Sequence, residues 1–117
     1  MRDNNKPMLI NGEWREGREY FEVRNPYDGS LLRKVPLSSK LDVADAVLSA
    51  KNAFAIMAEL PAHKRSAILT NTSRLIENKK EEIAELITGE SGKAIKYSLA
   101  EVDRSIQTFQ FAAEETK

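Results

Sequence analysis

The sequence contains no cysteine among its 117 residues. That absence excludes disulfides, thiolate metal sites and thiol nucleophiles from the chain itself. Histidine is nearly absent too. His63 is the only one, so no pair of imidazoles exists to share a metal, and a lone ring just after Pro61 reads as exposed or capping rather than catalytic. An excess of either charge is also lacking: 18 Lys and Arg balance 18 Asp and Glu. No global field therefore draws in nucleic acid or an anionic membrane. Nowhere does an apolar run approach the ~20 residues that span a bilayer. The start, Met1 to Pro7, is polar and has no signal-peptide core, so a cytoplasmic location is expected. The length suits one ordinary domain that needs no covalent staple.

What is present begins with strand signals over residues 8 to 36. Met8-Leu9-Ile10 leads into the turn dipeptide Asn11-Gly12, followed by Glu13-Trp14-Arg15, Tyr20-Phe21-Glu22-Val23 and Leu31-Leu32-Arg33-Lys34-Val35. The last two runs flank Asn25-Pro26-Tyr27-Asp28-Gly29, where proline fixes φ and glycine accepts a positive one, so the chain should reverse there. The pattern predicts a small antiparallel meander of two or three strands.

Past Pro36 the apolar period changes from 2 to about 3.6. Val43, Ala46, Val47, Ala50, Phe54 and Met57 share one stripe, and Ser39 with Asp42 resembles a capping box, which predicts a helix over 40–58. Pro61 suits the first turn of a further helical stretch over 61–88, with Ile68, Leu69, Leu75 and Ile76 on its apolar face and the stripe continuing through Ile83, Leu86 and Ile87. Asn78 tolerates a left-handed conformation, so this stretch is either one long helix or two short ones. Gly89 and Gly92 place its end before them. A last helix over 94–115 sets Ile95, Leu99, Val102, Ile106, Phe109 and Ala113 at spacings of four and three. The segment is thus α+β, short antiparallel strands followed by three or four amphipathic helices. So few strands make a poor sheet alone, and the final helix ends with Phe109, Phe111 and Ala113 still needing cover, which suggests a piece of something larger.

Gly89-Glu90-Ser91-Gly92-Lys93 has a superficial likeness to a phosphate loop. A Walker sequence requires four residues between its glycines and Ser or Thr after its lysine. Here two intervene and Ala94 follows, so a helix end and turn is the better reading, with Lys93 near carbonyl ends or in solvent. The mixed run Glu77-Asn78-Lys79-Lys80-Glu81-Glu82 reads as a solvated helix face. The seam from Ile95 to Ala113 could dimerise as a coiled coil, but irregular flanking charges favour packing against the chain's own helices or a missing part of the protein.

The order of these segments resembles the N-terminal region of the aldehyde dehydrogenase superfamily over nearly the whole chain. The likeness rests on Ile10-Asn11-Gly12-Glu13-Trp14, Phe21 to Gly29, Asp42-Val43 with Ala46-Val47 and Ala53-Phe54, and Lys64-Arg65 with Ile68-Leu69. It continues through Ile76-Glu77 with Lys80-Glu81-Glu82, Glu90-Ser91-Gly92-Lys93, and Glu101-Val102 with Arg104 and Thr108-Phe109. Leu60-Pro61 through Lys64-Arg65, and Arg104-Ser105-Ile106 with Thr108-Phe109, are most similar to small-aldehyde, lactaldehyde-type members.

The resemblance implies an α/β parent with a Rossmann-like fold, of which this chain is the N-terminal part of the cofactor-binding domain, with the Rossmann core and catalytic domain absent. It implies oxidation of a small aldehyde to a carboxylic acid with NAD or NADP through a cysteine thioester, using a thiolate, a carboxylate base and an amide donor that all lie downstream. No catalytic or cofactor-binding residue maps onto this chain, which alone should be inactive. The last helix would line the substrate tunnel with Glu101 and Ser105, whose polarity suits a small hydroxylated aldehyde. A monovalent cation site in some members matches the backbone oxygens of Val23 and Arg24 and the carboxylate of Glu90, although a structural turn explains the same residues. The partners implied are the remainder of the same polypeptide, the aldehyde, and further copies in a homo-oligomer, with neither nucleic acid nor membrane. The competing reading is a stand-alone helical binding or assembly module without catalysis.

Overall fold

In a computed structural model, residues 5–117 are described, and the polar start read above from Met1 lies partly outside the described residues. The chain divides into two units, the first ending at Ala58 and the second running Glu59–Lys117.

In the first unit β1 (Met8–Ile10) pairs antiparallel with β2 (Glu13–Arg15), placing Leu9 opposite Trp14. Asn11 and Gly12 join them with φ of 55° and 74°. Two consecutive positive φ values are what a two-residue type I′ hairpin demands, and Asn-Gly meets that demand at little steric cost. A second hairpin pairs β3 (Tyr20–Arg24) with β4 (Leu31–Pro36), the register slipping between Val23 and Arg24. Its loop is held by its own side chains. The Asn25 Oδ1 accepts from Tyr27 N at 2.9 Å, the Asp28 Oδ1 accepts from Ser30 N at 2.9 Å, and Arg24 Nη1 donates to the carbonyl of Gly29 at 2.8 Å.

The strands therefore form two separate two-stranded sheets rather than one meander. The physical cause lies in residues 16–19 and at the edge of β4. Gly17 sits so close to Pro36 that an added Cβ would overlap the proline ring, and Leu37 N donates to Glu19 O at 2.8 Å. This tucks the linker against the end of β4. Alongside β4, a parallel bridge from Asn5 to Lys34 occupies an edge, with Lys6 N donating to Lys34 O at 2.9 Å. With β3 on one side and the Asn5 bridge on the other, β4 has a neighbour on both edges at Lys34.

Helix α1 (Lys40–Glu59) begins with a reciprocal cap. Ser39 N donates to Asp42 Oδ2 at 2.8 Å, and Asp42 N donates back to Ser39 Oγ at 3.2 Å. The Ser39 hydroxyl, followed by its backbone N–H, holds the Asp42 carboxyl below its ordinary range.

The second unit is helical: α2 (Ala62–Asn78), α3 (Lys80–Ser91) and α4 (Ile95–Glu115), with α4 packed on both α2 and α3. The stretch expected over 61–88 is two helices, divided at Lys79, whose φ of −115° and ψ of 20° depart from helical values. It also runs past the expected end. Gly89 lies inside α3, and only Gly92, at φ 73°, terminates it by donating its N–H to Thr88 O. A single glycine costs a helix only about 1 kcal/mol, which the neighbouring turns absorb.

The core of this unit is Ala84, Val102 and Ile106, with Ile76, Ile83, Ile87 and Leu99 against it. On α2 the buried positions are Ser66 and Ser73, whereas Ile68 and Leu75, expected inside, are 47% and 64% exposed. Small side chains let α2 and α4 approach closely, and the Ser73 hydroxyl donates to Ile106 O at 3.1 Å. Burying a hydroxyl is tolerable because that bond is made.

Candidate functional site

The segment with most chemistry in it is the turn from α3 into α4. Because α3 ends at Ser91, the Gly89-to-Lys93 sequence presents carbonyl groups, and a helix C-terminus carries the negative pole. Ser91 Oγ donates to Ile87 O at 2.6 Å and Lys93 N donates to Ser91 Oγ at 3.3 Å. The Gly92 and Lys93 amides are thus both used in closing the end of α3. The same turn leads into α4, which begins at Ile95 after Ala94.

Lys93 is engaged elsewhere: its ammonium pairs with the Glu101 carboxylate on the first turns of α4. The bond from Lys93 is the main reason the Glu101 carboxyl titrates below 4.5, with partial burial opposing it. One turn on, Ser105 Oγ donates to Glu101 O at 3.0 Å. Periodicity alone assigned Lys93 to carbonyl ends or solvent, because its partner lies eight residues away across a turn. Beneath this pair, Thr88 and Ser98 share a hydroxyl–hydroxyl bond of 2.8 Å. A second ion pair, Lys80 Nζ to Asp103 Oδ1 at 2.6 Å, also joins α3 to α4.

The structure thus brings Glu101 and Ser105 onto one face of α4. A groove of about 610 Å³ on the same helix is lined by Thr70, Gln107, Gln110, Phe111, Ala113 and Glu114, and includes neither of them. Val23 and Arg24 sit at the register slip of β3 in the first unit, where the Arg24 guanidinium bonds Glu22 at 2.6 Å. Glu90 stands in the last turn of α3 in the second unit. Among the described residues no group of three or more His, Cys, Asp or Glu could hold a metal ion. His63 is exposed near the start of α2.

In the first unit a hollow of about 340 Å³ separates the β1–β2 hairpin from α1. Arg15 Nη1 reaches Asp45 Oδ2 at 2.8 Å across it, and Ser49 Oγ donates to Asn11 Oδ1 at 2.9 Å. The bond to Asp45 raises the guanidinium pKa further. No helix among the described residues is long and apolar enough to cross a membrane.

Two β-hairpins, a long helix and three packed helices make up the described residues, and the sequence holds no cysteine. The sequence pattern of the aldehyde dehydrogenase family matches residues 14–117, and the chain belongs to that family. It is 42% identical over 106 residues to malonate-semialdehyde dehydrogenase 1 of Geobacillus kaustophilus, covering 89% of this chain and 22% of that protein. It is 40% identical over 106 residues to the lactaldehyde dehydrogenase of Methanocaldococcus jannaschii, covering 91% and 23%. Among solved structures, the NADP-dependent glyceraldehyde-3-phosphate dehydrogenase of Bacillus halodurans, complexed with NADP, superposes with a TM-score of 0.92 at 36% identity, over 95% of this chain and 24% of that one. The chain spans less than a quarter of the length of these relatives.

Proposed function

We propose that this chain is the N-terminal part of the cofactor-binding domain of an NAD(P)-dependent aldehyde dehydrogenase, a cytoplasmic homo-oligomer that oxidises a small aldehyde to its carboxylic acid. The observation that carries the reading is a family match over residues 14–117 in a chain with no cysteine. Chemistry of this class needs a thiolate to attack the carbonyl carbon and a base to deliver water to the resulting thioester. Both must come from polypeptide outside this segment. The dinucleotide, when bound, supplies the hydride acceptor, and it too is held elsewhere, since the one glycine-rich turn here is a closed helix end. Within the segment, α4 contributes a tunnel wall through Glu101 and Ser105. Their polarity suits a small hydroxylated substrate. Val23 with Arg24, and Glu90, are read as turn and helix-end residues in preference to ligands of a monovalent cation.

An assay of the 117-residue chain with NAD or NADP and lactaldehyde or malonate semialdehyde tests this. No reduced nicotinamide should accumulate at 340 nm. Turnover by the chain alone would overturn the thiol-based reading. The alternative, a stand-alone helical binding module, draws support from the self-contained α2–α4 core. A reading frame that stops at Lys117 would favour it over the dehydrogenase.

A further inference from the structure

The turn that closes the β1–β2 hairpin joins two residues whose chemistry the dehydrogenase reading does not use. Asn11 and Gly12 are both exposed, and they form the one Asn-Gly pair in the sequence. An asparagine side-chain amide is open to attack by the backbone nitrogen of the next residue, and a glycine offers that nitrogen with no side chain in the way. Gly12 stands in open space: nothing lies within 4 Å of where a Cβ would be. The other described asparagines lack this follower. Asn25 precedes Pro26, which has no N–H to give up. Asn52 and Asn71 stand inside α1 and α2, where the next amide is tied into the helix ladder.

The hairpin restrains this reaction. Consecutive positive φ values mark a type I′ turn, whose first central residue keeps ψ near about +30°. That torsion swings the Gly12 nitrogen away from the Asn11 side chain, so a ring can close only when the turn opens. Contacts with α1 oppose opening: Ser49 Oγ donates to Asn11 Oδ1 at 2.9 Å, and Arg15 Nη1 reaches Asp45 Oδ2 at 2.8 Å. Both bonds are exposed, and each strand has only 3 residues. A hairpin this short is marginal on its own, so its opening is a local fluctuation that needs no global unfolding.

We infer that Asn11 is a site of slow self-modification, in which the Gly12 nitrogen displaces the Asn11 side-chain amide when the β1–β2 hairpin opens, at a rate held down by the bond from Ser49. The Gly12 nitrogen gives up its proton and bonds to Asn11 Cγ, the Cγ–Nδ2 bond breaks, and the side-chain nitrogen leaves with that proton as ammonia. Water then opens the resulting five-membered imide at one of its two carbonyls. Opening at Cγ restores the peptide bond and leaves aspartate; opening at the backbone carbonyl leaves the chain linked through Cγ, as isoaspartate. Nothing is oxidised or reduced, and water is the only co-reactant. Either product adds a carboxylate to the hollow that Asn11 lines together with Arg15 and Asp45. Isoaspartate also lengthens the backbone by one atom, in a two-residue turn whose length fixes the pairing of Leu9 with Trp14.

The test incubates the 117-residue chain in mildly alkaline buffer, with and without denaturing urea, and follows each asparagine by peptide mass spectrometry. Asn11 should gain about 1 Da as a mixture of aspartate and isoaspartate, while Asn52 and Asn71 stay intact. Ser49→Ala should raise the rate in buffer about fivefold, the factor set by one lost hydrogen bond of ordinary strength. Ser49→Thr, which keeps the hydroxyl, should return it to the parent's, and Asp45→Ala, which removes the Arg15 bond, should also raise it. In urea the parent and these variants should share one faster rate, and Gly12→Ala should slow it there. No gain at Asn11, or an equal gain at Asn52 or Asn71, would overturn the site. Aspartate without isoaspartate would mean direct hydrolysis and overturn the ring closure. A parent that reacts in buffer as fast as in urea, no acceleration by either Ser49→Ala or Asp45→Ala, or a difference between them and the parent that survives in urea would overturn the control by the hairpin.

Discussion

At the scale of single residues, the pairing of Lys93 with Glu101 has a pH signature. The Glu101 carboxyl is depressed below 4.5, chiefly by the bond from Lys93. Its contribution to stability is therefore present above the unfolded carboxylate range and is lost as pH falls through the depressed value. Glu101→Gln should lower the thermal midpoint slightly at neutral pH, by about 2 °C or less, since both side chains are more than a third exposed. In acid below the depressed value, where the native carboxyl is itself protonated, variant and parent should melt together. A gap that persists at that pH would mean Glu101 acts through packing. The residues of this cluster were all legible as polar, but the ion pair was not. It needs the αL turn at Gly92 to fold Lys93 back over the start of α4, and linear periodicity carries no such information.

At the scale of elements, the cap of α1 was readable because Ser39 and Asp42 are three residues apart, and both reciprocal bonds follow from that spacing. Ser39→Ala leaves the Asp42 amide without its acceptor and should cost the first turn about 1 kcal/mol. Amide exchange at Asp42 should then accelerate about fivefold, a factor that the same free energy sets; unchanged exchange would show that water caps this end equally well. Strand existence was legible for the same local reason, since Asn11-Gly12 and the Asn25–Gly29 run announce hairpins. How the hairpins pair was not. That depended on Gly17 meeting Pro36 and on the bridge from Asn5 to Lys34, contacts between segments up to 29 positions apart.

At the scale of the whole molecule, the two units differ in how well they cover themselves. The helical unit closes a core around Ala84, Val102 and Ile106, so Ile106→Ala should destabilise it by about 3 kcal/mol through the cavity left behind. Urea unfolding followed by helical circular dichroism measures this; a loss under ~1 kcal/mol would show that the site collapses or is already loosely packed. The first unit leaves α1 without a buried residue. The coiled-coil option for α4 fades for a structural reason: Val102, Ile106 and Ala113 are already buried within this chain.

The sequence by itself determined the hairpin turns, the capping of α1, the resemblance to the family, and the lack of a thiol in these residues, because each depends on residue type and on spacings within a turn or two. Only the tertiary structure decided that the strands form two sheets, that α2 buries Ser66 and Ser73 in place of Ile68 and Leu75, and that Lys93 serves Glu101. Those outcomes depend on close approach between distant segments. The exposure of α1 belongs to the same class of outcome: the helix carries an apolar stripe yet has no buried residue, and burial is a property of what lies against it.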